Sequence, residues 1–401
     1  MTWRRQPPAY SPVDPRSLVA GAGAWLTHAS PAEERISADL SQRYAATAAL
    51  LADSGTSALV MVLRHVVGYG RTVAYPAYGC IDLTAAAVRA GVRVRLYDLD
   101  PNTLSPDLES VKKAVMRGVE AIVVAHLYGY PADVAAVREL ADQHGIPVIE
   151  DAAQAAGGTL LDKRCGALAD LSILSFGRGK GITAGSGGAV LARTTPHAQW
   201  IQRARERLGA GSRGGREIFT LAAQWMLARP SLYRIPAALP ALRLGEMVYR
   251  PAREPRSISA AAAAILPAAL EIEEGDVAAR RARAAEIIAA IGSSRRVLPI
   301  RPLPGARPGY LRLAFLDSVG DISTNPSLGV LRGYPMTLDQ HEQLQPALAA
   351  RERAGKGAEF LRDRLLTTAV HSRVSQADIA RFGDWIYAGS GHARVEEAWA
   401  T

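Results

Sequence analysis

Short apolar runs alternate with longer amphipathic stretches between about residues 45 and 195. The runs are rich in β-branched residues, which is typical of strands, and the stretches repeat apolar residues at three- and four-residue spacing, which is typical of helices. This alternation predicts parallel strands with right-handed crossovers, and therefore an α/β sheet with helices on both faces. The predicted strands cover 71–75, 92–99, 121–126, 146–151, 171–176 and 187–192, and the predicted helices 80–90, 107–117 and 132–144.

The pattern changes after about residue 250. Helices at 258–270 and 271–291, a strand at 310–316 and a last helix that begins at Ser375 predict a smaller C-terminal α+β domain. Ser375 with Asp378 three residues later resembles a capping box. We therefore divide the chain into an irregular N-terminal arm (1–35), a large domain with a mainly parallel sheet (36–200), a basic Arg/Pro-rich connecting or inserted segment (201–250) and the smaller domain (251–401).

The composition is that of a globular chain with more than one domain. Its 401 residues are 48% hydrophobic and 21% charged, which excludes a disordered or collagen-like chain. The two cysteines form no CxxC pair, which suits the reducing cytoplasm where we expect the protein to work. No segment has the ~18 apolar residues of a membrane-spanning helix. Arg4-Arg5 ahead of a short apolar stretch leaves a twin-arginine export signal as a minor alternative.

The net charge of +9 raises nucleic acid or an anionic membrane as partners. We expect no nucleic-acid partner, because no helix-turn-helix, zinc-finger or RNA-binding motif is visible. Nine arginines and only three glutamates fall in 201–250, among them Arg203, Arg205 and Arg207. These arginines are interpreted as a basic lip for an anionic acceptor, such as a diphosphate-linked sugar at a membrane surface. Solvated arginine on an exposed insertion is an equally good explanation.

Three segments could carry chemistry. The first, Ser54-Gly55-Thr56-Ser57, precedes an apolar helix, where free N–H groups and the positive end of the helix dipole favour a phosphate. Taken alone, this segment is better explained as an ordinary N-cap. The second places Asp151 at a strand end with Gln154 three residues on, although a surface acid after a buried strand fits as well.

The third segment places Ser175 at a strand end and Lys180 in a glycine-flanked loop. Lysine is scarce in this chain, with five residues in all. The other four occupy positions that we expect to be solvated, namely Lys112, Lys113, Lys163 and Lys356. Lys180 alone has the setting of a desolvated amine that could form a Schiff base.

Together the three segments match the needs of pyridoxal 5′-phosphate (PLP). This cofactor requires a phosphate seat, a carboxylate beside its pyridinium nitrogen and a lysine imine. The carboxylate keeps the ring nitrogen protonated, so that the ring can take up electrons from a substrate carbanion. The joint pattern is far more specific than any of its parts.

The chain resembles the DegT/StrS family of PLP-dependent sugar aminotransferases, which have the aspartate-aminotransferase-like fold of type I. The resemblance runs from about residue 40 to 195 and, more weakly, over LLTTAVHSRVSQADIARFGDWI at 365–386. Its order and spacings match the family throughout. The matching motifs are SGTSAL at 54–59, YPAYGCIDLTAAAVRAG at 75–91, YDLDPNTLSPD at 97–107, HLYGYPADV at 126–134, GIPVIEDAAQAAGG at 145–158 and SFGRGKGITAGSGG at 175–188.

The resemblance implies a role for each candidate. Lys180 would form the Schiff base with PLP and move the proton between substrate and cofactor. Asp151 would pair with the ring nitrogen, and Gln154 would lie near the phenolic oxygen. The phosphate would be held by Gly55, Thr56, Ser57 and Ser175.

The resemblance also implies a reaction and a partner. The family transfers an amino group from glutamate to a keto sugar carried on a nucleotide, in amino-sugar, polysaccharide or secondary-metabolite biosynthesis. Its active sites usually form at a homodimer interface, so we expect a homodimer. A PLP-dependent dehydratase is an alternative, but Lys180 argues against it, because a histidine replaces the lysine in the family's dehydratases.

Three positions depart from the family. Cys80 stands where the family stacks an aromatic ring on PLP, and either Tyr78 or a residue elsewhere in the chain could take over this role. Pro255 and Arg256 stand near the expected place of the partner-chain asparagine, and Ser186 replaces a glutamate. These departures leave an inactive scaffold or regulator as a further alternative.

The eight histidines form no HxxH motif or His/Cys cluster, so we expect no metal site. His126, at a strand end, could approach the cofactor or be structural.

Overall fold

The computed structural model describes residues 5–27, 33–239, 247–349 and 352–388. Arg4 of the arginine pair and residues 240–246 of the basic segment lie outside these ranges. The helices are α1 (Pro15–Thr27), α2 (Glu33–Arg43), α3 (Gly55–Val66), α4 (Ile81–Ala90), α5 (Leu108–Met116), α6 (Val134–Asp142), α7 (Thr195–Arg207), α8 (Gly215–Leu227), α9 (Arg234–Ala237), α10 (Ala260–Glu271), α11 (Glu273–Ile291), α12 (Lys356–Arg364) and α13 (Gln376–Ala388).

The strands form three sheets. Those of the large sheet are β1 (Ala48–Ala52), β2 (Thr72–Pro76), β3 (Arg93–Tyr97), β4 (Ala121–Ala125), β5 (Val148–Asp151), β8 (Leu171–Ser175) and β9 (Gly188–Ala192). The others are β6 (Thr159–Leu160), β7 (Lys163–Arg164), β10 (Val297–Pro299), β11 (Ala306–Arg307), β12 (Leu313–Asp317), β13 (Leu331–Arg332) and β14 (Leu365–Thr368).

The large sheet confirms the predicted α/β architecture. Its strand order is β1-β9-β8-β5-β4-β2-β3, and the pairs β2/β3, β2/β4, β4/β5 and β5/β8 are parallel. Helices follow β1, β2, β3 and β4 along the chain, as right-handed crossovers require. The carboxyl ends of the parallel strands therefore share one edge of the sheet, where ligands bind in this class of fold.

Two strands of this sheet differ from the expectation. The strand at 187–192 is antiparallel to both of its neighbours, because a loop with no crossover helix leads into it from β8. Residues 48–52 form β1, which the pattern did not predict, since the sequence AALLA contains no β-branched residue.

The N-terminal arm is not irregular throughout, because Pro15–Thr27 is a helix. Small residues line its inner side, with Gly21 and Ala24 buried. They allow α1 to pack closely on α10, where Gly21 lies against Ile265. An alanine- and glycine-rich stretch therefore forms a helix here because it has a partner surface to pack on.

The C-terminal part carries a second sheet, with the order β10-β12-β14-β13. Its pairs are antiparallel, and α11 and α13 share a core with it that includes Phe315 and Phe382. The predicted capping box is confirmed: the Asp378 amide donates to Ser375 Oγ at 3.3 Å, and the Ser375 amide donates to Asp378 Oδ2 at 2.9 Å. The three boundaries between the predicted segments stay predictions.

Within the described ranges, no helix is both long enough and apolar enough to cross a membrane.

Candidate active site

A cavity with about 380 Å³ of empty space, partly open to solvent, lies at the carboxyl edge of the large sheet. It joins the ends of β5 and β8 to the first turns of α3 and α4. Six of the seven predicted site residues line it: Gly55, Thr56, Asp151, Gln154, Ser175 and Lys180. The remaining lining residues are Leu59, Cys80, Asp82, Leu83, Ala153 and Ile173.

The start of α3 explains why Ser57 is not among them. Ser54 caps the helix, and its Oγ accepts the Ser57 amide at 3.0 Å. The two hydroxyl groups of Ser54 and Ser57 are also bonded to each other, at 2.9 Å. Since a helix offers no internal partner to its first N–H groups, the amides of Gly55 and Thr56 have no partner inside α3.

Gly55 lets the start of α3 approach the end of β8. A Cβ built on Gly55 would stand 2.7 Å from the Cβ of Ser175 and 2.9 Å from its Oγ. Any larger residue would therefore push the helix away from the strand. Close packing thus explains the glycine of the SGTS segment. This packing brings the hydroxyl group of Ser175 beside the N-terminus of α3.

Lys180 differs from the other lysines in burial. It is half-buried in the cavity wall, whereas Lys112, Lys113, Lys163 and Lys356 are exposed, as predicted. Its amide donates to Gly177 O at 3.2 Å, which closes the turn of the glycine-flanked loop. The guanidinium of Arg280, itself buried beside Asp276, lies behind this loop next to Gly181.

The neighbouring carboxylates of β5 point to opposite sides of the sheet, as successive strand residues do. Glu150 is fully buried away from the cavity. It accepts hydrogen bonds from His126 Nε2 at 2.8 Å, from the Leu168 amide at 2.8 Å and from Ser172 Oγ at 3.1 Å. The amides of Gly166 and Ala169 donate to it as well.

Asp151 lines the cavity instead and has fewer partners. Its Oδ1 accepts the Ala153 amide at 3.0 Å. Burial raises the pKa of Asp151, while the Ala153 amide and the Lys180 ammonium act in the opposite direction. A carboxylate in this position can pair with a cationic ligand.

Gln154 is held at the cavity by two tyrosines. Its Oε1 accepts the Tyr128 amide at 3.0 Å, and its Nε2 donates to the Tyr334 hydroxyl at 2.7 Å. The rings of Tyr128 and Tyr334 stack with centroids 5.1 Å apart. The amide group of Gln154 is thereby fixed by residues that the sequence did not single out.

Cys80 lies in the cavity wall at the start of α4, next to Asp82. Burial raises the pKa of the Cys80 thiol to about 12, the Asp82 carboxylate adds to this, and the Lys180 ammonium lowers it. Tyr78, the proposed substitute for a stacking ring, is fully buried and does not line the cavity. Its hydroxyl accepts the Tyr334 amide at 2.8 Å. The sequence could have indicated Asp82 as a cavity residue, because it lies in the first turn of a helix that follows a strand.

The basic segment contacts the loop between Lys180 and β9 through an acidic residue. Ser186, which stands where the family has a glutamate, donates to Glu217 Oε1 of α8 at 2.8 Å. Arg205, by contrast, donates to Ala49 O at 2.9 Å and lines a separate cavity. The sequence offered no signal for Glu217, because it lies 31 residues from its partner.

His126 has a structural environment. Its Nδ1 accepts the Ala132 amide at 2.9 Å, and its Nε2 donates to Glu150, so both ring nitrogens are used inside the protein. Among the described residues, no group of three His, Cys, Asp or Glu side chains could hold a metal ion.

Comparison with known proteins agrees with this geometry. The DegT/DnrJ/EryC1/StrS aminotransferase family matches residues 19–216. L-glutamine:2-deoxy-scyllo-inosose aminotransferase of Streptoalloteichus tenebrarius is 31% identical over 204 residues, which are 49% of this chain and 48% of that protein. dTDP-3-amino-3,4,6-trideoxy-alpha-D-glucose transaminase of Streptomyces venezuelae is 39% identical over 166 residues, 40% of this chain and 42% of that protein. The chain thus spans about half the length of the curated relatives it matches.

The fold is shared over nearly the whole chain. The crystal structure of the aminotransferase TlmJ from Streptoalloteichus hindustanus aligns with a TM-score of 0.74 and 22% identity, over 95% of this chain and 97% of that one. The family match contains all seven predicted site residues. Residues 19–216 of this chain belong to the DegT/DnrJ/EryC1/StrS aminotransferase family.

Proposed function

We propose that the chain is a PLP-dependent aminotransferase that transfers an amino group to the carbonyl carbon of a sugar or a sugar-like ring. One observation carries this proposal. Of the five lysines, all of which the structure describes, only Lys180 is not exposed, and it lines a cavity together with a helix N-terminus, a hydroxyl group and a half-buried carboxylate.

The residues around the cavity fit PLP. The amides of Gly55 and Thr56 and the hydroxyl of Ser175 form an anion seat, and a side chain at position 55 would fill it. Asp151 supplies a negative charge for a ring nitrogen, and Lys180 supplies a primary amine for an aldehyde. When bound, PLP would act as the electron sink for a carbanion at the substrate carbon.

Each residue would then have a defined task. Gly55, Thr56 and Ser175 would bind the phosphate, with Ser57 fixing the start of α3 through Ser54. The carboxylate of Asp151 would hold a proton on the ring nitrogen. The Lys180 Nζ would move a proton between the substrate carbon and the cofactor.

Gln154 and Cys80 would shape the remaining walls. The two tyrosine contacts hold the amide of Gln154 at the cavity. We propose that this amide lies near the phenolic oxygen of the cofactor, as the resemblance implies. Because its pKa is raised to about 12, Cys80 stays a neutral thiol at physiological pH. It would therefore add an uncharged surface beside the cofactor in place of the family's aromatic ring.

The names of the relatives indicate the substrate class. One relative is named for 2-deoxy-scyllo-inosose, which is a cyclic ketone, and another is named for a dTDP-linked amino sugar. We propose a keto sugar, carried on a nucleotide, as the acceptor. We propose glutamate as the donor, with glutamine as the alternative that one relative's name suggests.

A homodimer and a cytoplasmic location complete the proposal. Both were expected from the sequence and its resemblance to the family. Sedimentation of the purified protein at micromolar concentration tests the first, and cell fractionation tests the second.

The proposal is tested by loading and turnover. Purified protein mixed with PLP should develop a visible absorbance band that Lys180→Ala lacks and that the matched exposed-lysine variant Lys163→Ala keeps. With glutamate and a panel of keto sugars, free and nucleotide-linked, the wild type should form the amino sugar and 2-oxoglutarate. A wild-type protein that stays colourless, or that binds PLP yet forms no keto acid with either donor, contradicts the proposal.

A further inference from the structure

An irregular segment ahead of α1 joins the C-terminal part of the molecule to the loop that carries Lys180. We name residues 5–14 the arm segment. They form no helix or strand, yet every one of them is buried or half-buried. Because such a segment has no hydrogen-bond ladder of its own, contacts with other parts of the chain must hold it in place. Those contacts show what the arm segment connects.

The beginning of the arm segment is bonded to the C-terminal part. Gln6 is buried, and its Nε2 donates to Asp378 Oδ2 at the start of α13, at 2.8 Å. The next residue, Pro7, accepts a hydrogen bond from His371 Nε2 through its carbonyl oxygen at 2.9 Å. Both partners are themselves buried, so this end of the segment is fixed inside the protein.

Tyr10 adds an aromatic contact to the same anchor. Its hydroxyl accepts Arg373 NH2 at 2.8 Å, and the guanidinium carbon of Arg373 lies 4.1 Å from the centroid of the tyrosine ring. The edge of the His371 ring packs against Tyr10 as well, with centroids 5.8 Å apart. The chain therefore reaches Ser11 from a position that the C-terminal part determines.

The other end of the arm segment contacts the lysine loop. Ser11 is buried, and its hydroxyl donates to the main-chain oxygen of Lys180. Among the described residues, it is the one group outside the loop that forms a hydrogen bond with Lys180. Gln224 Nε2 donates to Ser11 O at 3.1 Å, and Val13 belongs to the same apolar core as Ile182. Ser11 is thus held on both sides of its contact with the loop.

Few restraints act on the main chain of Lys180 from within its own loop. The Lys180 amide closes a turn on Gly177 O at 3.2 Å, and Gly179 between them has a φ of +77°. Gly181 is packed closely, since a Cβ built on it would stand 2.6 Å from the Cβ of Ala156. The peptide between Lys180 and Gly181 is therefore oriented by this packing and by the hydroxyl of Ser11.

The bond from Ser11 has a consequence that an ordinary buried serine would not have. Any buried carbonyl group needs a donor, so the bond alone assigns no role. This carbonyl, however, belongs to the one lysine that lines the cavity. A rotation of its peptide would move the amine at the end of a long side chain, and a displacement of about 1 Å in a reacting group can cost ~10²-fold in rate.

We propose that Ser11 is a positioning residue for Lys180, and that the arm segment ties the lysine loop to the C-terminal part. Ser11 does not line the cavity and acts only by holding the Lys180 peptide, so that the amine lies in the cavity wall. The consequence for turnover rests on the proposed function. The order of the loop does not, because it can be measured in the protein without cofactor.

Hydrogen–deuterium exchange of the cofactor-free full chain tests the positioning. The readout is exchange of the amides in residues 176–186, which include those of Lys180 and Ala184. Ser11→Ala should speed this exchange about two- to tenfold, which corresponds to the loss of one hydrogen bond. Exchange in the rest of the chain should stay at the wild-type rate.

Ser17→Ala is the matched control. Ser17 is also buried, and its Oγ donates to a main-chain oxygen, that of Asp14, at 2.7 Å. It should leave exchange in residues 176–186 unchanged. Equal exchange of these residues in Ser11→Ala and Ser17→Ala would overturn the proposal. So would faster exchange of Ser11→Ala over the whole chain, in proportion to a lower urea midpoint, since that result indicates a general loss of stability.

The link to the C-terminal part has its own pair of variants. Gln6→Ala removes the bond to Asp378 and should speed exchange in residues 176–186, although it does not touch the loop. Gln376→Ala removes a similar bond at the start of α13, from its Nε2 to Glu286 Oε1 at 3.0 Å, and should have no such effect. If the two variants left the loop equally protected, the arm segment would not connect it to the C-terminal part.

Turnover of the PLP-loaded protein gives the second readout. Ser11→Ala should lower kcat for keto-acid formation by about 10–10²-fold and leave the KM for glutamate unchanged, because the amine is misplaced while the donor site is intact. An unchanged kcat in Ser11→Ala would overturn the positioning role. A wild type without turnover would instead contradict the proposed function, and the exchange measurements would still decide whether Ser11 orders the loop.

Discussion

The two sides of strand β5 use the same chemical group in different ways. On one side, Glu150 is fully buried and accepts hydrogen bonds from a histidine, a serine and three backbone amides. On the other side, Asp151 faces a cavity and accepts a bond from one nearby amide. Adjacent carboxylates can therefore differ completely in role, and the number of partners within the chain tells which of them is available to a ligand.

The largest expected effect concerns the cavity side. Lys180→Ala should lower the rate of keto-acid formation from glutamate by about 10²–10⁴-fold through the loss of proton transfer alone. The free energy of unfolding without cofactor should change little, because Lys180 is half-buried and lies in a loop. Rapid-mixing kinetics and urea unfolding measure the two quantities. A Lys180→Ala protein that keeps the wild-type rate would show that another amine does the work.

The next effect concerns the structural side. Glu150→Ala should lower the free energy of unfolding by about 3–5 kcal/mol, because His126, Ser172 and the bonded amides lose their buried acceptor. Urea unfolding of the cofactor-free protein, followed by tryptophan fluorescence, measures this loss.

Asp151→Asn is the matched comparison. It should shift the free energy of unfolding by no more than about 1 kcal/mol, because it weakens only the hydrogen bond from the Ala153 amide. Its keto-acid formation should nevertheless fall by about 10²-fold. If Asp151→Asn destabilised the protein as much as Glu150→Ala, the contrast between the two sides of β5 would be lost.

A second buried histidine extends the structural comparison to the N-terminal arm. His371 Nε2 donates to Pro7 O at 2.9 Å, and its Nδ1 accepts the Arg373 amide, so the folded protein requires neutral imidazole. Burial lowers the pKa of His371 from 6.5 to about 4, the Pro7 contact raises it, and Arg312 and Arg373 lower it further.

The sign of the pH dependence follows from this shift. Between pH 6.5 and 4 the unfolded chain binds a proton that the folded protein does not, so stability falls as the pH falls through this window. The loss should reach about 2 kcal/mol between pH 7 and pH 5. His371→Gln should lack this part of the dependence in urea unfolding at the two pH values. If the wild type and His371→Gln lost the same unfolding free energy between the two pH values, other groups would be responsible for the pH dependence.

The last effect concerns packing at the cavity. Gly55→Ala should cost about 1–3 kcal/mol of unfolding free energy and weaken PLP binding, because the new methyl group would stand 2.7 Å from the Cβ of Ser175. Gly275→Ala in α11 is the matched control, since nothing lies within 4 Å of its added Cβ. That variant should be more stable than the wild type by about 0.5–1 kcal/mol. PLP titration and urea unfolding distinguish the two glycines.

The sequence predicted most of the cavity because its residues follow rules of local position. Asp151 and Ser175 end strands, and Gly55 and Thr56 begin a helix, so parallel topology alone brings them to one edge. Lys180 stood out because the chain has so few lysines. Ser57 could not be separated from its neighbours, since only the geometry shows that its amide and hydroxyl are bonded to Ser54.

Features that depend on distant contacts were not predicted. Residues 15–27 form a helix because α10 offers a surface that their small side chains fit. β1 exists because β9 pairs with it along its whole length, although its residues favour strands only weakly. Glu217 reaches Ser186 from another helix, and no local pattern indicates this contact. Tertiary packing decides such elements, and spacing along the chain does not record it.

The most direct test of the central claim is the reaction of the PLP-loaded protein with an amino donor alone. Mixed with glutamate in the absence of any acceptor, the wild type should release one equivalent of 2-oxoglutarate per chain, and Lys180→Ala should release it about 10²–10⁴-fold more slowly. Release of keto acid by Lys180→Ala at the wild-type rate would contradict the account. So would a PLP-loaded wild type that releases no keto acid from glutamate or glutamine.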